Sequence, residues 1–114
     1  MKDCLFCKMV NGEIKPDVVY ENAAVMAIRD INPQAPVHVL VVPKKHIATL
    51  NDLEPEHEVL VGEMYLIAKT VAKKLGVAEG GYRTVINCNE DAGQSVWHLH
   101  LHLLGGRRMS WPPG

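Results

Sequence analysis

The residues best suited to chemistry lie in the stretch 98–102, where His98, His100 and His102 alternate with leucines. Successive side chains of an extended strand point to opposite faces, so the three imidazoles are predicted to share one face. A rise of about 3.3 Å per residue would place neighbouring imidazoles about 6.6 Å apart. Three imidazoles against an apolar core would leave many donors and acceptors unsatisfied, which favours a polar ligand or a metal at this face.

The histidine triplet alone leaves two kinds of site open. Neutral imidazole is a good zinc ligand, so a metal site is the main alternative to a phosphate-binding site. The loop Gly93-Gln94-Ser95 directly precedes the triplet and offers backbone N–H groups, an amide and a hydroxyl. Such groups donate hydrogen bonds to phosphoryl oxygens, and they favour a phosphate-bearing ligand.

The elements that must position these residues follow from hydrophobic periodicity. Helical spacing predicts a short helix over residues 4–10, ended by Gly12, and a long amphipathic helix over residues 54–75, ended by Gly76. Strand composition predicts about five strands, at residues 18–20, 24–28, 37–42, 82–88 and 98–104, with a polar loop at 89–95. The fold class predicted is α+β, an antiparallel sheet with one long and one short helix.

Length and composition narrow the class of protein. With 114 residues and 47% hydrophobic content, the chain is expected to form a single domain over residues 1–114. A net charge of -1 gives no reason to expect nucleic acid or a membrane as partner. We found no apolar run long enough to span a bilayer and no signal-peptide pattern, so a cytoplasmic location is predicted. Three cysteines make a disulfide framework improbable.

The histidine triplet and four further motifs resemble the histidine triad family, whose signature is three histidines alternating with apolar residues and followed by two more apolar residues. Residues 98–104 fit that signature, and residues 30–38, 43–46, 93–96 and 105–114, with the ending Trp-Pro-Pro-Gly, resemble its Hint branch. The resemblance covers nearly the whole chain. It implies the HIT fold and a phosphoramidase that cleaves the P–N bond of purine nucleoside 5′-phosphoramidates.

The resemblance also implies catalytic roles. His100 would attack the α-phosphorus and form a covalent nucleotidyl-histidine intermediate. His102 would hydrogen-bond the phosphoryl oxygens as charge develops on them. His38, together with Ser95, would support protonation of the leaving amine.

A nucleotide-binding set follows from the same resemblance. Asp30 would bind the ribose hydroxyls, Asn87 would lie near the phosphate, and apolar side chains would sandwich the purine. The full set is Leu5, Phe6, Met9, Ile28, Asp30, Ile31, Asn87, Gly93, Gln94, Ser95, Val96, His100, His102 and Trp111. The ligand implied is a purine nucleoside monophosphate or phosphoramidate. Members of the Hint branch pair as homodimers, in which Trp111 would shape the partner's leaving-group pocket.

The resemblance further implies a structural zinc site that includes the Cys4-x-x-Cys7 pair. The pair is weak evidence by itself, because a single such pair is also compatible with buried helix residues. Some members of the family close a zinc site with two histidines that correspond to His46 and His98, and two cysteines with two histidines form a closed structural set. Zinc would not be required for the chemistry. Cys88 is predicted to be a buried strand residue.

Three alternatives to the phosphoramidase remain open from sequence. The first is a dinucleoside polyphosphate hydrolase of the Fhit-like branch, which uses the same histidine with another leaving group. The second is a nucleotide-binding adaptor that acts through a partner, and the third is a purely metal-binding module.

Overall fold

A five-stranded antiparallel sheet forms the framework of the protein. The computed structural model describes residues 3–114. The strands are β1 (Val18–Glu21), β2 (Val25–Arg29), β3 (Val37–Pro43), β4 (Tyr82–Val85) and β5 (Leu101–Gly105), and they lie in the order β1-β2-β3-β5-β4. β5 pairs with β3 on one side and β4 on the other, so the histidine-bearing strand lies inside the sheet. This architecture confirms the predicted α+β fold.

Two helices accompany the sheet, as predicted. The short helix α1 spans Leu5–Val10, and Gly12 follows it with a φ of 82°. The long helix α2 spans Glu58–Lys74 and is preceded by a separate 3₁₀ turn at Pro55–His57. Gly76 ends α2 with a φ of 78°, the left-handed conformation that glycine adopts without strain. Within residues 3–114, neither helix is long and apolar enough to cross a lipid bilayer.

Strand β3 shows how the sheet separates its two faces. Val39 and Val41 are fully buried in the core cluster that includes α2, whereas Leu40 belongs to the cluster on the opposite face. In the β3–β5 ladder, Leu40 is paired with His102, so His102 shares the face of Leu40. Leu101 and Leu103 therefore face α2, and the even-numbered histidines face away from it.

Two apolar clusters hold these layers together. The larger one fills the space between the sheet and α2, and the smaller one lies on the other face under α1. The smaller cluster consists of Phe6, Met26, Ile28, Leu40 and Val42. Burying each large apolar side chain contributes about 1.5 to 3 kcal/mol relative to exposure, so this cluster stabilises the position of α1 on the sheet.

Two strands are shorter than predicted. β5 begins at Leu101, so His98, Leu99 and His100 precede the strand. The partner strand β3 ends at Pro43, which has no N–H to extend the ladder, and the Leu99 N–H bonds instead to the Ile47 carbonyl at 2.6 Å. β4 ends at Val85 opposite His102, near the start of β5.

The interpretation of Cys88 as a buried strand residue is wrong. Cys88 lies three residues beyond the end of β4 and is half-buried. The ladder between β4 and β5 spans only the four residues of β4, because β5 itself starts late.

Candidate active site and metal centre

A cavity of about 520 Å³ opens on the sheet face that carries the histidines. Its walls are largely apolar, and its polar groups include two of the imidazoles. The lining residues from the predicted set are Leu5, Phe6, Met9, Ile28, Asp30, Ile31, Ser95, Val96, His100 and His102. A deep apolar cleft with a few convergent polar groups is typical of a small-molecule site.

His100 is held in one orientation by the backbone. Its Nδ1 lies 2.7 Å from the His98 carbonyl oxygen, which can only accept, so Nδ1 carries the proton and donates. The neutral ring then has its lone pair on Nε2. Burial lowers the pKa of His100 below its usual value and outweighs the opposing effects of the His98 hydrogen bond and Asp30, which keeps the ring neutral at pH 7.

His38 and His102 form a second oriented pair. The Gln34 N–H donates to His38 Nδ1 at 3.0 Å, so the neutral His38 ring carries its proton on Nε2. That nitrogen lies 2.9 Å from His102 Nδ1 and donates to it, which leaves the His102 proton on Nε2. Burial, reinforced by the neighbouring His100 and His38, lowers the pKa of His102 to about 4. His102 is thus a neutral donor on the cavity wall.

Asp30 lies beside this pair, with Oδ2 3.4 Å from His38 Nε2. The contact is not a full ion pair, because burial lowers the pKa of His38 despite the raising effect of Asp30. The other carboxylate oxygen accepts from the Asn32 N–H at 2.8 Å. Asp30 therefore presents a carboxylate acceptor, held in place by these contacts, at the polar end of the cavity.

Four residues of the predicted nucleotide-binding set lie outside the cavity lining: Asn87, Gly93, Gln94 and Trp111. Gln94 is buried, and its amide is used within the fold. Its Oε1 accepts from the Asn89 N–H, and its Nε2 donates to the carbonyls of Ala48 and Val96 at 2.9 and 3.1 Å. Because these bonds occupy the amide, Gln94 shapes the loop that carries Ser95.

Sequence reasoning missed six lining residues: Ile14, Lys15, Pro16, Asp17, Arg29 and Leu40. Leu40 could have been found, because it follows His38 at the second position along β3 and therefore lies on the same face of the sheet. The segment 14–17 carried no comparable signal, since it is an irregular connection before β1. Its position depends on contacts distant in sequence.

His98 does not share a site with the other two histidines. Its ring faces the thiols of Cys4 and Cys7, whereas His100 and His102 line the cavity with ring centroids 4.9 Å apart. The resemblance implied this division, with His98 in the zinc set and His100 and His102 at the nucleotide. His98 itself precedes strand β5.

The thiol–histidine cluster consists of Cys4, Cys7, His46 and His98, whose ligand atoms all lie within 4.8 Å of one another. Cys4 Sγ is 3.2 Å from His98 Nδ1, Cys7 Sγ is 3.3 Å from His46 Nδ1, and the two Nδ1 atoms are 3.1 Å apart. Ligands about 2.0 to 2.3 Å from a tetrahedral zinc would be separated by about 3.6 Å. The three distances are somewhat shorter than that separation, and all four ligand atoms lie close enough together to reach one ion.

The protonation of His98 also suits a metal ligand. Its Nε2 donates to the Pro43 carbonyl at 2.7 Å, so the lone pair of the neutral ring lies on Nδ1, the atom that faces the thiols. Burial lowers the pKa of His98, which favours the neutral form that binds metal. Two thiolates and two imidazoles form a set that binds zinc in closed structural sites.

This fold and the oriented pair of cavity histidines define a protein of the histidine triad class. A family model described as the HIT domain matches residues 11–109, and the chain belongs to that family. The predicted resemblance is thereby confirmed.

Relatives that match most of the chain are similar to it in sequence and structure. The purine nucleoside phosphoramidase of Escherichia coli K12 is 46% identical over 106 residues, covering 93% of this chain and 89% of that protein. An uncharacterized HIT-like protein of Synechococcus elongatus is 50% identical over 113 residues, 99% of this chain and 98% of that one. The crystal structure of a HIT family hydrolase from Legionella pneumophila superimposes with a TM-score of 0.96 at 53% identity, covering 98% and 100% of the two chains.

Proposed function

We propose that this protein is a hydrolase that cleaves the P–N bond of purine nucleoside 5′-phosphoramidates through a nucleotidyl-His100 intermediate. The observation that carries the proposal is the hydrogen bond from His100 Nδ1 to the His98 carbonyl. It directs the lone pair of a neutral, buried imidazole to Nε2, on a ring that lines the cavity. The similarity to a purine nucleoside phosphoramidase supports the choice of substrate.

In the first step, His100 Nε2 forms a bond to the α-phosphorus while the P–N bond to the amine breaks. The neutral His102 Nε2–H donates to a phosphoryl oxygen, where charge grows in the transition state. The departing nitrogen takes a proton that the exposed Ser95 hydroxyl relays from solvent. His38 supports the step through its hydrogen bond to His102. Water then attacks phosphorus as the bond to His100 breaks and its electron pair returns to Nε2; the water's proton passes to solvent and the nucleoside monophosphate leaves.

The rest of the cavity suits a nucleoside. Leu5, Phe6 and Ile28 offer apolar surfaces on which a purine can pack, and Asp30 supplies an acceptor for the ribose hydroxyls. The residues predicted to touch the base are apolar, which favours acceptance of both adenine and guanine. Zinc in the thiol–histidine cluster would stabilise the fold, and the residues at the reacting phosphorus need no metal.

A homodimer is part of this proposal. Val59 and Leu66 are 83% and 65% exposed, and with the exposed Gly62 they follow one face of α2. A row of exposed apolar side chains favours a protein interface. Trp111 is 82% exposed and lies outside the cavity lining of its own chain, as expected of a side chain that completes a partner's site. A cytoplasmic location and a single domain over residues 1–114 stay predictions.

The deciding experiment compares hydrolysis of adenosine 5′-phosphoramidate and diadenosine tetraphosphate by the wild type and by His100→Ala. We expect the wild type to prefer the phosphoramidate and the variant to lose at least about 10³-fold in kcat while still binding AMP. His57→Gln is the matched control, because His57 lies in the 3₁₀ turn before α2, outside both sites. Its turnover should stay within about twofold of the wild type.

Other outcomes would assign a different function to the protein. Faster cleavage of the dinucleotide would place it with the dinucleoside polyphosphate hydrolases. AMP binding without turnover of either substrate would favour a nucleotide-binding adaptor. Loss of metal binding in His100→Ala would favour a purely metal-binding module. Mapping of a trapped adenylyl group to any residue but His100 would refute the mechanism.

A further inference from the structure

The thiol–histidine cluster contacts both the wall of the nucleotide cavity and the peptide that orients His100. We propose that a metal in this cluster and a nucleotide in the cavity bind cooperatively, with α1 and the residues around His98 as the coupling elements. Cys4, Cys7 and His46 are then positioning residues for a site they do not touch. The inference rests on the proposed function only in taking the ligand of the cavity to be a nucleotide.

The first coupling element is α1. It has six residues, fewer than the roughly 12 to 15 that an isolated helix needs to persist in water, so its order depends on what anchors it. Cys4 caps its N-terminus by accepting from the Cys7 N–H at 3.4 Å. The two thiols flank Leu5 and Phe6, which line the cavity. Fixing both sulfurs on one metal would therefore fix this wall.

Phe6 connects the two sites directly. Its ring is 2% exposed and packs edge-on against His98, with centroids 5.6 Å apart, and against His100, with centroids 5.1 Å apart. One aromatic ring thus touches a ligand of the cluster and the proposed nucleophile. A tightly packed ring transmits displacement of either neighbour to the other, because the space around it leaves little room to absorb the movement.

The second coupling element is the backbone at residues 98–99. His98 is fixed by its bond to the Pro43 carbonyl, and the Leu99 N–H bonds to the Ile47 carbonyl. The His98 carbonyl in turn accepts from His100 Nδ1. His46 lies between Pro43, the last residue of β3, and Ile47, the two residues whose carbonyls hold this peptide, so a metal joining His46 to His98 would stiffen it.

Binding at one site must then strengthen binding at the other by the same factor. Couplings between linked sites commonly correspond to about 5-fold to 150-fold changes in affinity. We expect at least about fivefold here, since one side of the cavity is formed by a helix that depends on the cluster for its anchor.

The test measures AMP binding by calorimetry to the full chain, loaded with one equivalent of Co²⁺ or stripped by a chelator. The loaded protein should bind AMP at least about fivefold more tightly. Saturating AMP should raise the Co²⁺ affinity by the same factor, read from the absorption of thiolate-bound Co²⁺. Cys4→Ser should remove the metal effect on AMP binding, whereas the matched control Cys88→Ser, outside the cluster, should retain it.

Each outcome decides the proposal. Equal AMP affinity of the loaded and stripped wild type would overturn it, as would the absence of a thiolate–Co²⁺ band. The wild-type comparison does not depend on whether Cys4→Ser folds. Cooperative binding without hydrolysis of adenosine 5′-phosphoramidate would leave this inference standing and refute the proposed function, and hydrolysis without cooperativity would do the reverse.

Discussion

The chemistry of each histidine is set by the partner of its other ring nitrogen. The His98 carbonyl accepts a hydrogen bond from His100 Nδ1–H, and the Gln34 N–H donates to His38 Nδ1, which leaves the proton of His38 on Nε2. A neutral imidazole is either a donor or an acceptor at each nitrogen, so these bonds determine which atom attacks and which donates. One residue type thus performs three functions: His100 as the proposed nucleophile, His102 as a donor and His98 as a candidate metal ligand.

Burial of His102 predicts a specific loss of stability in acid. An unfolded histidine titrates near 6.5, whereas the pKa of His102 in the fold is lowered to about 4. Between these values the unfolded chain binds more protons, so the contribution of His102 is fully present above about pH 6.5 and is lost as pH falls toward 4. Urea unfolding from pH 7.5 to 4.5 should show a shallower decline for His102→Gln than for the wild type. Parallel curves would contradict this assignment.

Elements position these residues through a few close contacts. β5 runs inside the sheet, and its last residue, Gly105, packs against Val77 in the connection after α2. A Cβ built on Gly105 would lie 2.8 Å from the Val77 Cβ, closer than such atoms pack. The strand that carries His102 therefore requires a glycine where it passes the end of the helix.

Gly105→Ala should destabilise the fold by about 1 to 3 kcal/mol, because Val77 is buried and cannot move aside freely. Thermal unfolding should show a Tm lower by about 5 °C or more. Gly80→Ala is the control, since a Cβ there meets nothing within 4 Å. Equal melting of both variants would mean that β5 shifts to accommodate the added methyl group.

At the scale of the whole molecule, two exposed apolar surfaces belong to the proposed dimer. The exposed face of α2 carries Val59 and Leu66, and the C-terminal segment carries the exposed Trp111. Single exposed apolar residues are ordinary, but two on one helical face with a glycine between them suit the close approach of a second helix. The proposed dimer would bury that face.

Leu66→Glu should convert the dimer to a monomer, because each interface would then bury an unpaired carboxylate. Sedimentation of the wild type and the variant at matched concentrations measures the change. Ala78→Glu adds the same charge at an exposed position after α2 and should leave the assembly unchanged. A wild type that sediments as a monomer at micromolar concentration would refute the dimer itself.

Local patterns in the sequence determined the elements, and the resemblance to the histidine triad family identified much of the cavity. Hydrophobic periodicity predicted both helices and the identity of all five strands, because alternation and helical spacing reflect which face each element buries. Ten of the residues predicted to bind nucleotide line the cavity. The histidine triplet, the apolar residues of α1 and the Cys4–Cys7 pair are recognisable in the sequence because the members of each lie within a few positions of one another.

Only the tertiary structure decided which hydrogen-bond partners hold those residues in place. His98 turns to the thiols because Pro43, 55 residues earlier, ends the ladder and accepts its Nε2–H. The side-chain amide of Gln94 donates to the Ala48 carbonyl, and the irregular segment 14–17 lines part of the cavity. Alternation along a strand shows on which face of the sheet a side chain lies, but not which group it bonds to. Hydrogen-bond partners that are distant in sequence come together only once the chain has folded.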